Sequence, residues 1–174
     1  MVVEHSIEQA KENVTLYFII GFSSCKIQLS RDYKLTTGKG ATLAEGKDAV
    51  MFAYVLSCIH DALLANELLV ERDIGLKVVN LPWVNRVDIK GLRKAIEPYN
   101  LVFVLENHRS AGALAEHIFD LLSASRNQPL ARRHLERFAV EGWPVCGSPQ
   151  EVLKFHKLDG ASLAEHVFEY IDIL

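Results

Sequence analysis

Residues 49–55 read AVMFAYV and residues 101–105 read LVFVL, and these two stretches decide the fold class. Both are short, continuous apolar runs, and the first follows a turn-forming segment at residues 45–48. A half-exposed strand alternates apolar and polar side chains, whereas a strand that is covered on both faces is apolar throughout. The two runs therefore predict buried strands in a sheet with helices on both sides.

The segments around these runs alternate between strand and helix patterns. An apolar run at 76–81 predicts a further strand, and residues 39–44 predict a short one. Residues 128–140 are less clear and fit either a strand or a short helix near Phe138. Five helices are predicted. Ser57 would cap the helix at residues 58–71, and Asp88 would cap the helix at residues 89–96. The other three span residues 111–123, 149–155 and 161–171. This order predicts a three-layer α/β/α domain with a mainly parallel five-stranded sheet.

The N-terminal residues do not fit into this domain. Residues 6–20 predict a helix that ends near Gly21, and the alternating residues 24–30 predict a strand. Residues 31–40 are polar, contain two glycines and are typical of a connector. We therefore divide the chain into the tail of a preceding domain with its linker, residues 1–35, and a main domain, residues 36–174.

The bulk properties exclude several classes of function. The formal net charge of -3 argues against a general nucleic-acid binder, and no apolar run is long enough to span a membrane. The three cysteines Cys25, Cys58 and Cys146 form no CxxC pair, so we expect small buried side chains in a reducing cytoplasm rather than disulfides or a zinc site. One cluster of basic residues is interpreted as a solvent-exposed surface of a loop and a helix. The alternative is that it binds an anion or an acidic partner. It consists of Arg126, Arg132, Arg133, His134 and Arg137.

The residues offer one local candidate for a ligand cleft. Glu106, Asn107, His108 and Arg109 follow a buried strand, and open α/β sheets place ligand groups at the carboxyl ends of their strands. The alternative is that Glu106 pairs with Arg109 and caps the next helix.

Other polar motifs predict no chemistry. The pairs Glu116-His117 and Glu165-His166 each point about 100° apart on a helix, so we expect no metal site there. Residues 38–40, Gly-Lys-Gly, are too short for a phosphate loop and favour a hinge with a tight turn.

Four segments in this order resemble the transketolase family. Residues 29–69 are similar to the join between its pyrimidine-binding and C-terminal domains: they contain Ser30-Arg31, Gly38-Lys39, the turn Gly46-Lys47-Asp48 and AVMFAYV. Residues 77–96, 102–122 and 147–171 resemble later elements of the same C-terminal domain. The sequence departs from the family at Asp32, at Asn107, and at Val55-Leu56, where the family usually has a glycine after the second strand.

The resemblance implies a function that this chain cannot perform alone. In the family, other domains bind thiamine diphosphate and a divalent metal through a Gly-Asp-Gly motif and supply the activating glutamate, and this sequence contains no such motif. Residues 1–35 would be the end of the pyrimidine-binding domain. Arg31 matches the arginine that contacts the sugar phosphate, with an interdomain salt bridge as the alternative. We expect no catalytic residues here.

The expected function is thus the C-terminal section of a ketol transferase. It would act on phosphosugars in carbohydrate metabolism, as a homodimer or with an N-terminal transketolase section. Deoxyxylulose-phosphate synthase, a 2-oxoacid dehydrogenase and a 2-oxoacid oxidoreductase share the fold and stay open as parent enzymes. Two alternatives are a regulatory or ligand-binding module that uses residues 106–109, and a remnant without function.

Overall fold

A computed structural model describes residues 33–123 and 133–173 of the chain. These ranges form ten elements. The strands are β1 (Ala41–Ala44), β2 (Ala49–Ala53), β3 (Leu76–Asn80), β4 (Leu101–Arg109) and β5 (His134–Val140). The helices are α1 (Leu56–Val70), α2 (Ile89–Ile96), α3 (Leu114–Ser123), α4 (Pro149–Phe155) and α5 (Gly160–Ile173). The predicted helix and strand at residues 6–30, and the boundary at residue 35, lie outside or at the margin of these ranges and stay predictions.

The five strands form one sheet in the order β1-β3-β2-β4-β5. Strand β2 lies at its centre and pairs in parallel with β3 and β4, and β4 pairs in parallel with β5. Only β1 runs antiparallel, against β3. The prediction of a mainly parallel five-stranded sheet is therefore confirmed.

Helices cover both faces of the sheet, which confirms the three-layer α/β/α architecture. On one face, Met51 and Phe103 pack with apolar residues of α1 and α5. On the other, Phe52 and Val104 pack with α2 and α3. All five residues of β2 are fully buried, as the run AVMFAYV predicts.

Two predicted helix starts carry side-chain caps, and one predicted cap is wrong. The Asp88 carboxylate accepts hydrogen bonds from the amides of Lys90 and Gly91, which fixes the start of α2. Ser148 and Glu151 cap each other at the start of α4. Ser57 caps nothing, because α1 begins at Leu56 and its N-cap residue is Val55.

Three further details differ from the sequence-based expectations. Strand β4 continues to Arg109, so residues 106–109 belong to the strand rather than to the loop that follows it. Residues 134–140 form a strand, which decides the open choice near Phe138. Cys58 is buried as expected, but Cys146 is exposed, because it lies in the loop between β5 and α4 rather than in the core.

The basic cluster is only partly described, and Arg133 within it has a structural role. Its guanidinium donates to the carbonyl oxygens of Tyr99 at 3.1 Å and Glu97 at 3.2 Å, which follow the end of α2. Arg137 is exposed. Arg126 and Arg132 lie outside the described residues.

Candidate functional site

The candidate site is the carboxyl end of the sheet between β2 and β4. After β2 the chain crosses to β3 on one side, whereas after β4 it crosses to β5 on the other. Such a reversal leaves a crevice at the carboxyl ends of the two central strands, where open α/β sheets bind ligands. Ala53 pairs with Leu105, so the next residues, Tyr54 and Glu106, lie beside each other at this point.

Glu106 places a carboxyl group at the base of the crevice, and it is fully buried. Burial raises the pKa of its carboxyl group, and the amides of Ala115 and Leu114 at the start of α3 partly offset this rise. Among the described residues, no group completes a hydrogen bond to either carboxylate oxygen. A buried carboxylate without a partner is costly, so the electrostatic support from α3 is what makes Glu106 tolerable here.

Tyr54 and Cys58 complete this buried group and have no evident signal in the sequence. Burial, followed by the charge of Glu106, raises the pKa of Tyr54 to about 12. Burial, followed by the charge of Asp61, raises the pKa of Cys58 to about 12. Both side chains are therefore neutral at physiological pH, and neither is an activated nucleophile. The sequence alone lacks the strand register that brings Tyr54 to Glu106.

The structure does not gather residues 106–109 into one cluster. Asn107, His108 and Arg109 are exposed, whereas Glu106 points into the core. His108 and Arg137 are near enough for their charges to lower the pKa of Glu106, but within the described residues Arg109 forms no ion pair with it. The arrangement is a buried carboxylate beneath a polar, largely cationic rim, which can attract an anion to the rim but offers a ligand no direct contact with Glu106.

Val55, at the mouth of the crevice, has an unusual backbone conformation. Its φ is 67° and its ψ is 136°. A β-branched residue is rarely found at positive φ, where glycine is at ease. The glycine that usually stands here in the resembling family fits this geometry, so the departure at Val55 has a physical cost.

Two other features lie away from the crevice. A cleft of about 300 Å³ is bordered by the linker, by β3 and by α2, with Gly38, Val79 and Ala95 among its walls. In residues 33–123 and 133–173, no three His, Cys, Asp or Glu side chains converge as metal ligands. Arg31, the predicted phosphate contact, lies outside both ranges.

None of the helices in the described part of the chain combines the length and the apolar character of a membrane span.

Comparison with known proteins gives a consistent result. Residues 38–163 match the family model for the C-terminal domain of transketolase. Over 144 residues the chain is 26% identical to one of the subunits of apulose-4-phosphate transketolase from Phocaeicola vulgatus, and the match covers 80% of this chain and 43% of that protein. Over 145 residues it is 28% identical to 1-deoxy-D-xylulose-5-phosphate synthase from Chlorobium luteolum, and the match covers 82% of this chain and 22% of that protein.

A solved structure agrees with the fold. The chain superposes on a split-gene transketolase, described as an inactive beta4 tetramer, with a TM-score of 0.74 and 22% identity. The match covers 86% of this chain and 48% of that one. In each of these comparisons the chain spans less than half the length of the protein it matches.

Proposed function

Because this chain belongs to the transketolase C-terminal domain family, we propose that it is the C-terminal section of a thiamine diphosphate-dependent ketol transferase, and that it becomes active only with cofactor-binding domains. The observation that carries this proposal is the extent of the family match. Residues 38–163 include all five strands and four complete helices, so most of the described core, and not one motif, belongs to the family.

The residues of this chain do not fit a thiamine diphosphate site. The sequence has no Gly-Asp-Gly motif for a diphosphate and its metal. Glu106, the carboxyl group at the carboxyl end of the sheet, is fully buried and so is not accessible to a ligand. The cofactor would therefore bind to other domains of the assembled enzyme.

The names of two relatives support an enzyme that is assembled from more than one chain. One is named as a subunit of a transketolase, and one solved structure is called a split-gene transketolase. A chain of this kind would form part of the surface around an active site whose residues come mainly from its partner. We propose a homodimer, an N-terminal transketolase section, or both as partners, with phosphosugars as substrates of the assembled enzyme.

Arg31 is the residue that we propose for substrate contact. A guanidinium binds a phosphate through two parallel hydrogen bonds, and Arg31 stands in the predicted connector before the main domain. Arg31→Lys in the assembled enzyme should raise KM for the phosphosugar more than it lowers kcat. An unchanged KM would instead favour the interdomain salt bridge.

A second candidate function is a regulatory module that binds an anionic ligand at the rim formed by His108 and Arg109. The cationic surroundings of Glu106 favour it. A thermal-shift screen of the isolated chain with nucleotides and phosphosugars separates the two proposals. Stabilisation by a ligand, lost in Arg109→Gln, supports the module; no stabilisation leaves the ketol-transferase section as the better account.

A further inference from the structure

Three polar side chains from β5 and α5 meet on one face of the sheet, away from the carboxyl-end crevice. The Glu136 carboxylate of β5 accepts a hydrogen bond from the Tyr170 hydroxyl of α5 at 2.9 Å. The His134 Nε2 atom lies 3.4 Å from the same oxygen of Glu136. This nitrogen is buried and has no hydrogen-bond partner among the described residues.

The alternation of side chains along β5 brings His134 and Glu136 together. His134 and Glu136 are two residues apart, so both side chains point to the face that α5 covers. Tyr170 approaches from α5, and its ring centroid is 4.6 Å from that of His134. Phe103 lies behind Tyr170, with 5.7 Å between the ring centroids, so the inner side of the triad is apolar. On the outer side, the side chains of His134 and Glu136 are 40% and 31% exposed, although the Nε2 atom itself is buried.

The two distances to the Glu136 oxygen are compatible with a tetrahedral metal ion. Bonds of about 2.0–2.1 Å from zinc to nitrogen and oxygen place neighbouring donors about 3.3 Å apart. The 3.4 Å between His134 Nε2 and the Glu136 oxygen meets this condition without any movement. The Tyr170 oxygen would need to move back by a few tenths of an ångström. An imidazole nitrogen beside carboxylate and phenol oxygens favours zinc and its neighbours over magnesium or calcium.

We propose that His134, Glu136 and Tyr170 form a binding site for a divalent transition metal ion of the Zn²⁺ class, with water as the fourth ligand. The third donor is a tyrosine, so the site is compatible with the described ranges holding no three converging His, Cys, Asp or Glu side chains. The site is independent of the proposed ketol-transferase function, and its metal is distinct from the hard cation that a diphosphate needs.

Binding involves a defined exchange of protons. In the metal-free chain the phenol of Tyr170 keeps its proton and donates it to Glu136. Metal ligands bind in their deprotonated form, so the phenolate forms when the metal replaces that proton. One proton then leaves to solvent for each ion bound. The bound ion would connect the edge strand β5 to α5, with two bonds to residues of β5 and one to Tyr170 of α5, where the metal-free chain has one hydrogen bond.

The test is a titration of the whole 174-residue chain with ZnCl₂, in a Cys146→Ser background because the exposed thiol of Cys146 could bind zinc itself. We expect one strong equivalent per chain, a tyrosinate absorbance change in the near ultraviolet, and a tetrahedral d–d spectrum when Co²⁺ is used instead. His134→Gln and Glu136→Gln should each weaken Zn²⁺ binding at least about tenfold, since even the loss of a group behind the ligands costs that much. Tyr170→Phe should abolish the tyrosinate signal.

The matched control is His60→Gln, because His60 is an exposed histidine on α1, far along the chain from the triad. Circular dichroism of each variant checks that the fold is kept, and the Co²⁺ spectrum reports ligation separately from stability. Binding that survives in His134→Gln, or that is lost equally in His60→Gln, would overturn the proposal. So would the absence of a strong equivalent in the parent chain, or a preference for Mg²⁺ over Zn²⁺.

Discussion

Asp61 in α1 accepts a hydrogen bond at 3.0 Å from the backbone amide of Gly160, 99 residues later, where α5 begins. The bond joins the two helices that cover one face of the sheet. Asp61 is only 7% exposed, and burial raises the pKa of its carboxyl group, while the amide of Gly160 works in the opposite direction. The contact is possible because Gly160 has no side chain.

Gly160→Ala should destabilise the domain. A Cβ atom at this position would lie 2.8 Å from three side-chain carbons of Leu64, one of which is Cβ and has no freedom to move away. We expect a loss of about 1–3 kcal/mol in the free energy of unfolding, as for overpacked contacts in general. Urea denaturation measures it.

Leu64→Ala supplies the control for this contact. In the double variant, the contacts with Leu64 Cγ and Cδ2 are gone and only the one with Cβ remains, so the combined loss should be smaller than the sum of the two single losses. Full additivity would show that the Cγ and Cδ atoms of Leu64 are not what the methyl group meets.

Glu106→Gln should change the dependence of stability on pH. In the folded chain the pKa of Glu106 is raised above its ordinary value of 4.5. Below pH 4.5 the carboxyl group is protonated and costs no stability. As pH rises from 4.5 through the folded-state pKa, the folded chain loses stability, because the unfolded chain ionises first. Glutamine never ionises. Relative to the parent, the variant should therefore gain stability as pH rises from 4.5 through the folded value, by about 1.4 kcal/mol for each unit of the pKa rise.

Thermal unfolding at several pH values measures this difference for Glu106→Gln against the parent. The matched control is Glu67→Gln, because Glu67 is an exposed glutamate on α1. A difference between Glu106→Gln and the parent that does not vary with pH would contradict the raised pKa of the buried Glu106.

Val55→Gly should stabilise the chain, although it removes a side chain. At a φ of 67° the branched Cβ is strained by about 1–2 kcal/mol. Glycine relieves this strain but adds freedom to the unfolded chain, which costs about 0.4–1 kcal/mol. The half-buried Val55 side chain also packs against the core, and its loss offsets part of the relief, so we expect a net gain of no more than about 1 kcal/mol in chemical denaturation. Val55→Ala keeps a Cβ atom at positive φ and should gain less than Val55→Gly, so an equal gain in both variants would place the cause elsewhere.

Tyr99→Phe should loosen the turn before β2. The Tyr99 hydroxyl donates to the carbonyl oxygen of Gly46 at 2.6 Å, and Tyr99 is 6% exposed. Removal of the hydroxyl leaves that carbonyl oxygen short of a partner, at a cost of about 1–2 kcal/mol. Hydrogen exchange of the amides of residues 46–48 should become faster while exchange in α5 is unchanged. Equal acceleration in both would indicate a global effect.

The sequence predicts those parts of the fold that depend on local pattern. The buried strands β2 and β4 follow from continuous apolar runs, and Asp88 marks the helix that it caps. The two helices that share the letters LAEH, α3 and α5, bury equivalent positions: Leu114, Ala115 and Ile118 in one, and Leu163, Ala164 and Val167 in the other. They cover opposite faces of the sheet, and no local sequence pattern predicts which face each helix covers.

What the sequence did not predict depends on long-range pairing. Ser57 has the residue type of an N-cap, but α1 already begins at Leu56, directly after the strained turn at Val55. Strand β4 continues to Arg109 because β5 pairs with it, and β5 itself was ambiguous from its sequence. The neighbourhood of Glu106 and the triad at Glu136 both arise from strand register and helix packing, so residue types alone could not reveal them.

The most direct test of the central claim is a reconstitution of ketol transfer. The chain is mixed with an N-terminal transketolase section that carries the cofactor-binding domains, with saturating thiamine diphosphate and Mg²⁺, a ketose phosphate donor and an aldose phosphate acceptor. We predict no transfer by either polypeptide alone and thiamine-dependent transfer by the mixture. Failure of the mixture, although the two chains form a complex that binds the cofactor, would contradict the claim.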